Sequence, residues 1–219
     1  MEFLQTIWTA LTTENEVMTK IICSPFTFIE VYISMLLFTT ILNFKGSRSQ
    51  NILYVLTFSL SSLISIHIIP TPYNTFINLI ICPILVLVIF KTNILKAFLS
   101  EIITYLIFIL IGIPIHNLLI IFYNISTNII NTIPIYKIFS SCIIYSVALI
   151  LYITCLKFNI NITLLDKFKR KTNSVILLNI FLGILSISIQ SYIATLYIEV
   201  LPLRFNIVKP NNITLVFFN

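Results

Sequence analysis

Charged residues are scarce in this chain, at only 9% of its 219 residues, whereas hydrophobic residues make up 58%. Soluble globular domains carry about 25% charged residues, so there is too little polar surface here to cover a water-facing globule. The mean hydropathy of +1.06 agrees with this. The composition therefore favours a polytopic, all-α membrane protein and excludes a basic, nucleic-acid-binding domain.

Glycine is also scarce, at three residues, and the chain has no glycine-rich phosphate loop, GxSxG elbow, HExxH pair or cluster of aspartates. These motifs bind nucleotides and metals or activate nucleophiles. We therefore expect no enzymatic activity, no cofactor and no metal site. The four cysteines form no CxxC pair and are interpreted as buried apolar thiols: Cys23, Cys82, Cys142 and Cys155.

Long apolar runs are what the chain has in abundance. Six of them approach or exceed the ~17–25 residues that cross a bilayer as a helix. The six predicted transmembrane helices cover about residues 25–44, 52–69, 75–90, 98–123, 138–156 and 174–200.

The chain divides into three predicted parts. Residues 1–20 place Phe3, Leu4, Ile7 and Trp8 at helical spacing and predict an amphipathic helix at the membrane interface. Residues 21–200 form the predicted six-helix transmembrane sensor domain. Residues 201–219 are interrupted by charges and a proline, and we interpret them as an irregular tail or a truncated seventh span.

The basic residues alternate between the two sides of the predicted bundle. Nine of the 13 lie in three loops on one side: Lys45 and Arg48, then Lys91 and Lys96, then Lys157, Lys167, Lys169, Arg170 and Lys171. The other side has Lys20, Lys137, Arg204 and Lys209. Positively charged loops stay in the cytoplasm, so both termini are predicted to face out of the cell membrane.

Ionisable and amide groups inside apolar spans are costly and indicate functional positions. In the predicted topology several fall in the outer half of the bundle and are candidate ligand-binding residues: Glu30, His67, Asn78, His116, Asn117 and Gln190. His116 follows the Pro114 kink and is the predicted partner of Glu30. Polar residues near helix ends that reach the headgroups are the simpler alternative. Glu101 is predicted to be interfacial, beside Lys96.

The sixth predicted span carries a stripe of small and polar residues. Asn179, Gly183, Ser186, Gln190 and Tyr197 recur on one narrow helical face. Such a stripe on a membrane helix faces other helices rather than lipid. Helix packing is the predicted role of the stripe, with ligand contact as the alternative.

Several segments together resemble the membrane sensor region of peptide-pheromone receptor histidine kinases of the accessory-gene-regulator type. The resemblance covers roughly residues 3–200 and is carried by residues 6–13, 28–32, 35–39, 72–78, 158–161 and 165–167, which read TIWTALTT, FIEVY, MLLFT, PYNTFIN, FNIN and LDK. None of these segments is a catalytic motif.

The resemblance implies quorum sensing through a two-component system, with a homodimer and an extracellular peptide ligand. The phospho-acceptor histidine and ATP-binding boxes of the kinase are absent from residues 1–219, so no kinase activity is carried over. Two alternatives stay open. One is a small membrane transport subunit, and the other is a membrane peptidase that matures the pheromone, with Cys82 and His67 as its only candidate pair.

Overall fold

Helices account for all regular structure in the described part of the chain. The computed structural model describes residues 2–44, 46–69, 73–123 and 126–160. These residues form seven helices: α1 (Glu2–Thr12), α2 (Glu16–Ile41), α3 (Arg48–Ile68), α4 (Tyr73–Ile89), α5 (Ile94–Tyr123), α6 (Thr127–Thr132) and α7 (Pro134–Lys157). The all-α prediction is confirmed over these ranges.

Local sequence explains where several helices begin and end. Asn15 caps α2 by accepting a hydrogen bond from the backbone N–H of Met18 at 3.0 Å. Ser47 and Gln50 form a reciprocal capping box at the start of α3. The turns after α2, α4 and α7 contain Asn43, Lys91 and Asn159 in the left-handed region, with φ near +50°, which stops a helix.

The long helices form a bundle with α2 at its centre. α2 packs on α3, α5 and α7, while α4 fits between α3 and α5. α3 runs antiparallel to α2, since Ser24 near the start of α2 contacts His67 near the end of α3. One end of the bundle therefore holds α1, α6 and the start of α2, and we call it the N-terminal end. The opposite end holds the basic turns at Arg48 and Lys91, and we call it the basic end.

An aromatic cluster closes the core at the basic end. The Phe38 ring lies 5.5 to 6.0 Å from the rings of Tyr54, Phe44 and Phe90, in edge-on orientation to each. Such edge-to-face pairs contribute about 0.5–1.5 kcal/mol beyond area burial. The cluster joins α2, α3 and the end of α4.

Four helices are long and apolar enough to cross a membrane: Glu16–Ile41, Arg48–Ile68, Ile94–Phe122 and Pro134–Lys157. These helices correspond to the first, second, fourth and fifth predicted spans, so the structure supports four of the six. The third predicted span corresponds to α4, whose 17 residues make it shorter than these four. The sixth predicted span, with its packing stripe, lies outside the described residues.

The first predicted span begins too late. It was placed at residues 25–44, whereas α2 starts at Glu16 and continues through Pro25. The polar residues Glu16 and Lys20 hid these turns from a hydropathy-based prediction, although their ion pair at 2.7 Å supports the helix. The interfacial helix is correspondingly shorter than predicted, ending at Thr12.

Large apolar side chains remain on the outside of the long helices. Ile64, Val88, Leu110 and Ile150 are each more than half exposed. Soluble proteins rarely leave such wide apolar surfaces in water. With four spanning-length helices, this surface makes the chain a polytopic membrane protein whose outer faces contact lipid.

Candidate functional site

Glu30 lies near the middle of α2. It follows Glu16 by 14 residues, or about 21 Å along the helix axis. The prediction put it about five residues from the end of the span, because the span was taken to begin at Pro25. Because α2 starts earlier, Glu30 lies near the middle of the helix rather than close to its end.

Tyr145 on α7 is the hydrogen-bond partner of Glu30. Its phenolic O–H donates to Glu30 Oε2 at 3.2 Å. His116, the predicted partner, is half-buried on α5 and is not among the residues that line the Glu30 cavities described below. The sequence could not reveal this pair, because α2 and α7 are 115 positions apart at these residues.

A cavity of about 290 Å³ opens beside Glu30, and we call it the inner cavity. It is lined by parts of α2, α3, α4 and α5. Its polar lining includes two carboxylates, two amides and several hydroxyls, among them Glu30, Glu101, Asn74, Asn78, Ser62, Tyr54 and Thr104. Glu30 is exposed and lines this cavity.

Asn78 is held at the wall of the inner cavity by two serines of α3. Its Nδ2 donates to Ser62 Oγ at 3.2 Å, and Ser65 Oγ donates to its Oδ1 at 3.1 Å. Both serines are buried. The amide therefore links α4 to α3 and has its donor and acceptor sides both engaged.

Glu101 reaches the same cavity from the start of α5. Its carboxyl group lies within hydrogen-bonding reach of the Cys82 thiol, which is 3.2 Å from the Tyr54 hydroxyl. Lys96, which was expected to offset Glu101, contacts the end of α2. The Lys96 ammonium donates to the Leu42 carbonyl at 3.3 Å and lies over the Phe44 ring.

A second cavity of about 180 Å³ adjoins the first, toward the N-terminal end, and we call it the outer cavity. Glu30, Thr27 and Ile66 line both cavities. Two basic residues, Lys20 and Lys137, line only the outer one. Tyr145 also lines it, so the Glu30–Tyr145 hydrogen bond lies where the two spaces meet.

The other candidate residues do not join this site. His67 lies in the last turn of α3, at the N-terminal end of the bundle, where its Nε2 is 3.3 Å from Ser24 Oγ, and Asn117 is exposed on α5. Gln190, Asn179, Gly183, Ser186 and Tyr197 lie outside the described residues. The site thus brings together Glu30 and Asn78 from the predicted set and adds Glu101, Tyr145, Tyr54 and Cys82. Glu101 was detectable as an ionisable group within a span.

The contacts of Cys82 do not support a cysteine nucleophile. A thiol attacks substrates as the thiolate, which a nearby histidine or other cation normally stabilises. Cys82 instead contacts Tyr54 and Glu101, while His67 contacts Ser24. Within the described ranges no three His, Cys, Asp or Glu side chains are grouped to hold a metal ion.

Comparisons of the chain with protein-family models, with curated proteins and with solved structures returned no match.

Proposed function

We propose that this chain is the membrane-embedded receptor region of a signalling protein, and that it binds a small, peptide-like extracellular ligand in the inner cavity. In this proposal the chain has six spans, faces outward with its N-terminus and works as a homodimer. The observation that carries the proposal is the cavity between α2, α3, α4 and α5, into which two carboxyl groups and several hydroxyl and amide groups project from apolar helices.

The energetics support binding at this cavity. A carboxylate at the centre of a bilayer costs about 2.5–3.5 kcal/mol on insertion scales, so a membrane bundle retains one mainly where it has a role. The inner cavity contains two, Glu30 and Glu101. The hydroxyl and amide groups beside them can orient a polar ligand by hydrogen bonding, as is usual for small-molecule sites.

The proposal is tested by peptide retention on the purified chain in lipid nanodiscs. A mixture of tripeptides with random side chains is the probe, and mass spectrometry measures the fraction retained. Thr104 lines the inner cavity, so Thr104→Phe fills it and should lower retention at least tenfold. Ser146→Phe places the same aromatic ring on an exposed face of α7 and should change nothing.

Two results contradict the receptor proposal. One is that no tripeptide is retained by the unmodified chain. The other is retention that Thr104→Phe leaves unchanged although the variant elutes and unfolds like the unmodified protein. Retention that Ser146→Phe also abolishes would place binding on the outer surface rather than in the cavity.

A transport subunit is the second candidate, and prolines in the cavity walls favour it. Pro83 and Pro114 lie inside α4 and α5, two of the helices that line the inner cavity. Interrupted helices around a polar site at mid-membrane depth are typical of transporters. Uptake of the retained tripeptides into proteoliposomes would support transport, whereas binding without uptake supports the receptor.

A further inference from the structure

We propose that the inner and outer cavities together bind a zwitterionic ligand about three residues long, with its amine between Glu30 and Glu101 and its carboxylate at Lys137. This inference rests on the proposed function and specifies the chemistry of its ligand. It is carried by the opposite formal charges that line two adjoining cavities, which share the Glu30 side chain.

The inner cavity has an excess of negative charge. Glu30 and Glu101 line it, and no Lys, Arg or His is among the described residues that do so. The hydrogen bond that Glu30 accepts from Tyr145 comes from a neutral hydroxyl, so it does not balance the formal charge of the carboxylate. Because charges interact strongly in a medium of low dielectric constant, a cation between the two carboxyl groups would be held by both of them.

The outer cavity has an excess of positive charge. Lys20 and Lys137 line it, and Lys20 is already paired with Glu16 at 2.7 Å. Lys137 forms no ion pair within the part of the chain that the structure describes. Its ammonium group is therefore the one available to a ligand carboxylate.

Helix geometry sets the length of the ligand. Lys137 precedes Tyr145 by eight residues on α7, or about 12 Å along the axis. Tyr145 contacts Glu30, so this is also the axial separation of the two charged regions. An extended peptide covers at most about 3.3–3.6 Å per residue, so three residues span about 10–11 Å and leave the remainder to the flexible Lys137 and Glu30 side chains, whereas a single amino acid leaves most of the gap open.

The test compares three forms of the random tripeptide mixture on the unmodified chain in nanodiscs. The forms are free at both ends, acetylated at the amine, or amidated at the carboxylate. We expect each blocking group to lower retention at least tenfold, because each removes a charge-assisted contact.

Two variants assign the two ends of the peptide. In Glu101→Gln, Glu30 still holds the amine, so acetylation should lower retention less than it does in the unmodified chain. In Lys137→Gln, amidation of the peptide should cause no further loss of retention. Lys157→Gln, at the exposed basic end of α7, is the matched control and should behave like the unmodified chain. Glu101→Asp and Lys137→Arg preserve the charges and should retain free tripeptides, which separates loss of charge from loss of folding.

The outcomes distinguish this inference from the receptor proposal. Equal retention of free and blocked tripeptides would overturn the zwitterionic site while leaving a cavity receptor in place. Losses from blocking that the two variants do not alter would also overturn it. Failure of every form to bind would overturn the proposed function itself.

Discussion

Individual polar residues in this bundle find their partners on other helices. Glu30 accepts from Tyr145, Asn78 bridges two serines, and Thr19 donates from α2 to the Thr132 carbonyl at 2.7 Å. Without water in the hydrocarbon, such contacts replace hydration. In membrane bundles they contribute about 0.6 kcal/mol on average, so they specify geometry more than they stabilise it.

The Tyr145 hydroxyl should matter more for binding than for stability. Tyr145→Phe removes the donor to Glu30 and leaves the ring packed against Phe108. We expect a loss of about 0.5–1.5 kcal/mol in the free energy of unfolding and weaker peptide retention. Tyr152→Phe, in the same apolar cluster, is the control and should leave retention unchanged. Identical retention by both variants would contradict a role for the hydroxyl.

Substitutions of Glu30 separate its charge from its hydrogen bond. Glu30→Gln still offers Tyr145 a carbonyl oxygen, whereas Glu30→Leu leaves the hydroxyl without an acceptor. We expect the leucine variant to be about 1 kcal/mol less stable than the glutamine variant, as measured by unfolding in mild detergent. Both should lose retention of the free tripeptides. If Glu30→Leu is as stable as the unmodified chain and retains as much free tripeptide, the carboxylate has no role.

At the scale of elements, Gly46 permits the close approach of α3 to the end of α4. A Cβ at this position would lie 2.8 Å from both Phe90 Cε1 and Asn51 Oδ1. Phe90 packs against Phe38 and Tyr54, so its ring has little freedom to move. We expect Gly46→Ala to lower the free energy of unfolding by about 1–3 kcal/mol through overpacking.

Gly112 is the matched control for this substitution. A Cβ there meets only Ile144 Cδ1, at an ordinary 3.8 Å, inside the regular helix α5. Gly112→Ala should be neutral or stabilise the chain by about 0.5–1 kcal/mol, because alanine favours the helix. Equal effects of the two substitutions on thermal unfolding would contradict the packing described for Gly46.

Lys96 connects the start of α5 to the end of α2. Its ammonium bonds the Leu42 carbonyl next to the last turn of α2, and the side chain is 8% exposed. A cation there also complements the negative end of the helix dipole. Lys96→Met keeps the apolar stem and should cost about 1–2 kcal/mol of unfolding free energy. Lys91→Met removes the same charge from an exposed turn and should cost less than about 0.5 kcal/mol.

At the scale of the whole molecule, the basic residues predict which end of the bundle lies inside the cell. Single cysteines at Ser49 and Thr92, in a background without the four native cysteines, should be protected from an impermeant thiol reagent in intact cells. Single cysteines at Thr13 and Tyr73, at the N-terminal end, should react. If the cysteines at Ser49 and Thr92 react and those at Thr13 and Tyr73 do not, the bundle has the opposite orientation in the membrane.

Composition and hydropathy alone determined the class of protein. Few charges, long apolar runs and alternating basic turns predict an all-α, polytopic membrane protein, and the helices α2, α3, α5 and α7 agree with it. These properties are local, because a membrane helix satisfies its own backbone hydrogen bonds and needs only a sufficient apolar length. The predicted helix boundaries failed where an apolar run ends, because the charged residues Glu16 and Lys20 concealed the first two turns of α2.

Only the tertiary structure decided which polar residues share a site. Glu30 and Asn78 were predicted together and both line the inner cavity, but His67 and Asn117 line neither cavity. Glu101 lines the inner cavity and Tyr145 the outer one, and neither was predicted as a member of the site. Depth along a span can be counted from sequence, whereas the direction that a side chain faces depends on which helices pack beside it. Helix–helix packing in a membrane is set by shape and by contacts between distant positions, and no periodicity along one chain records it.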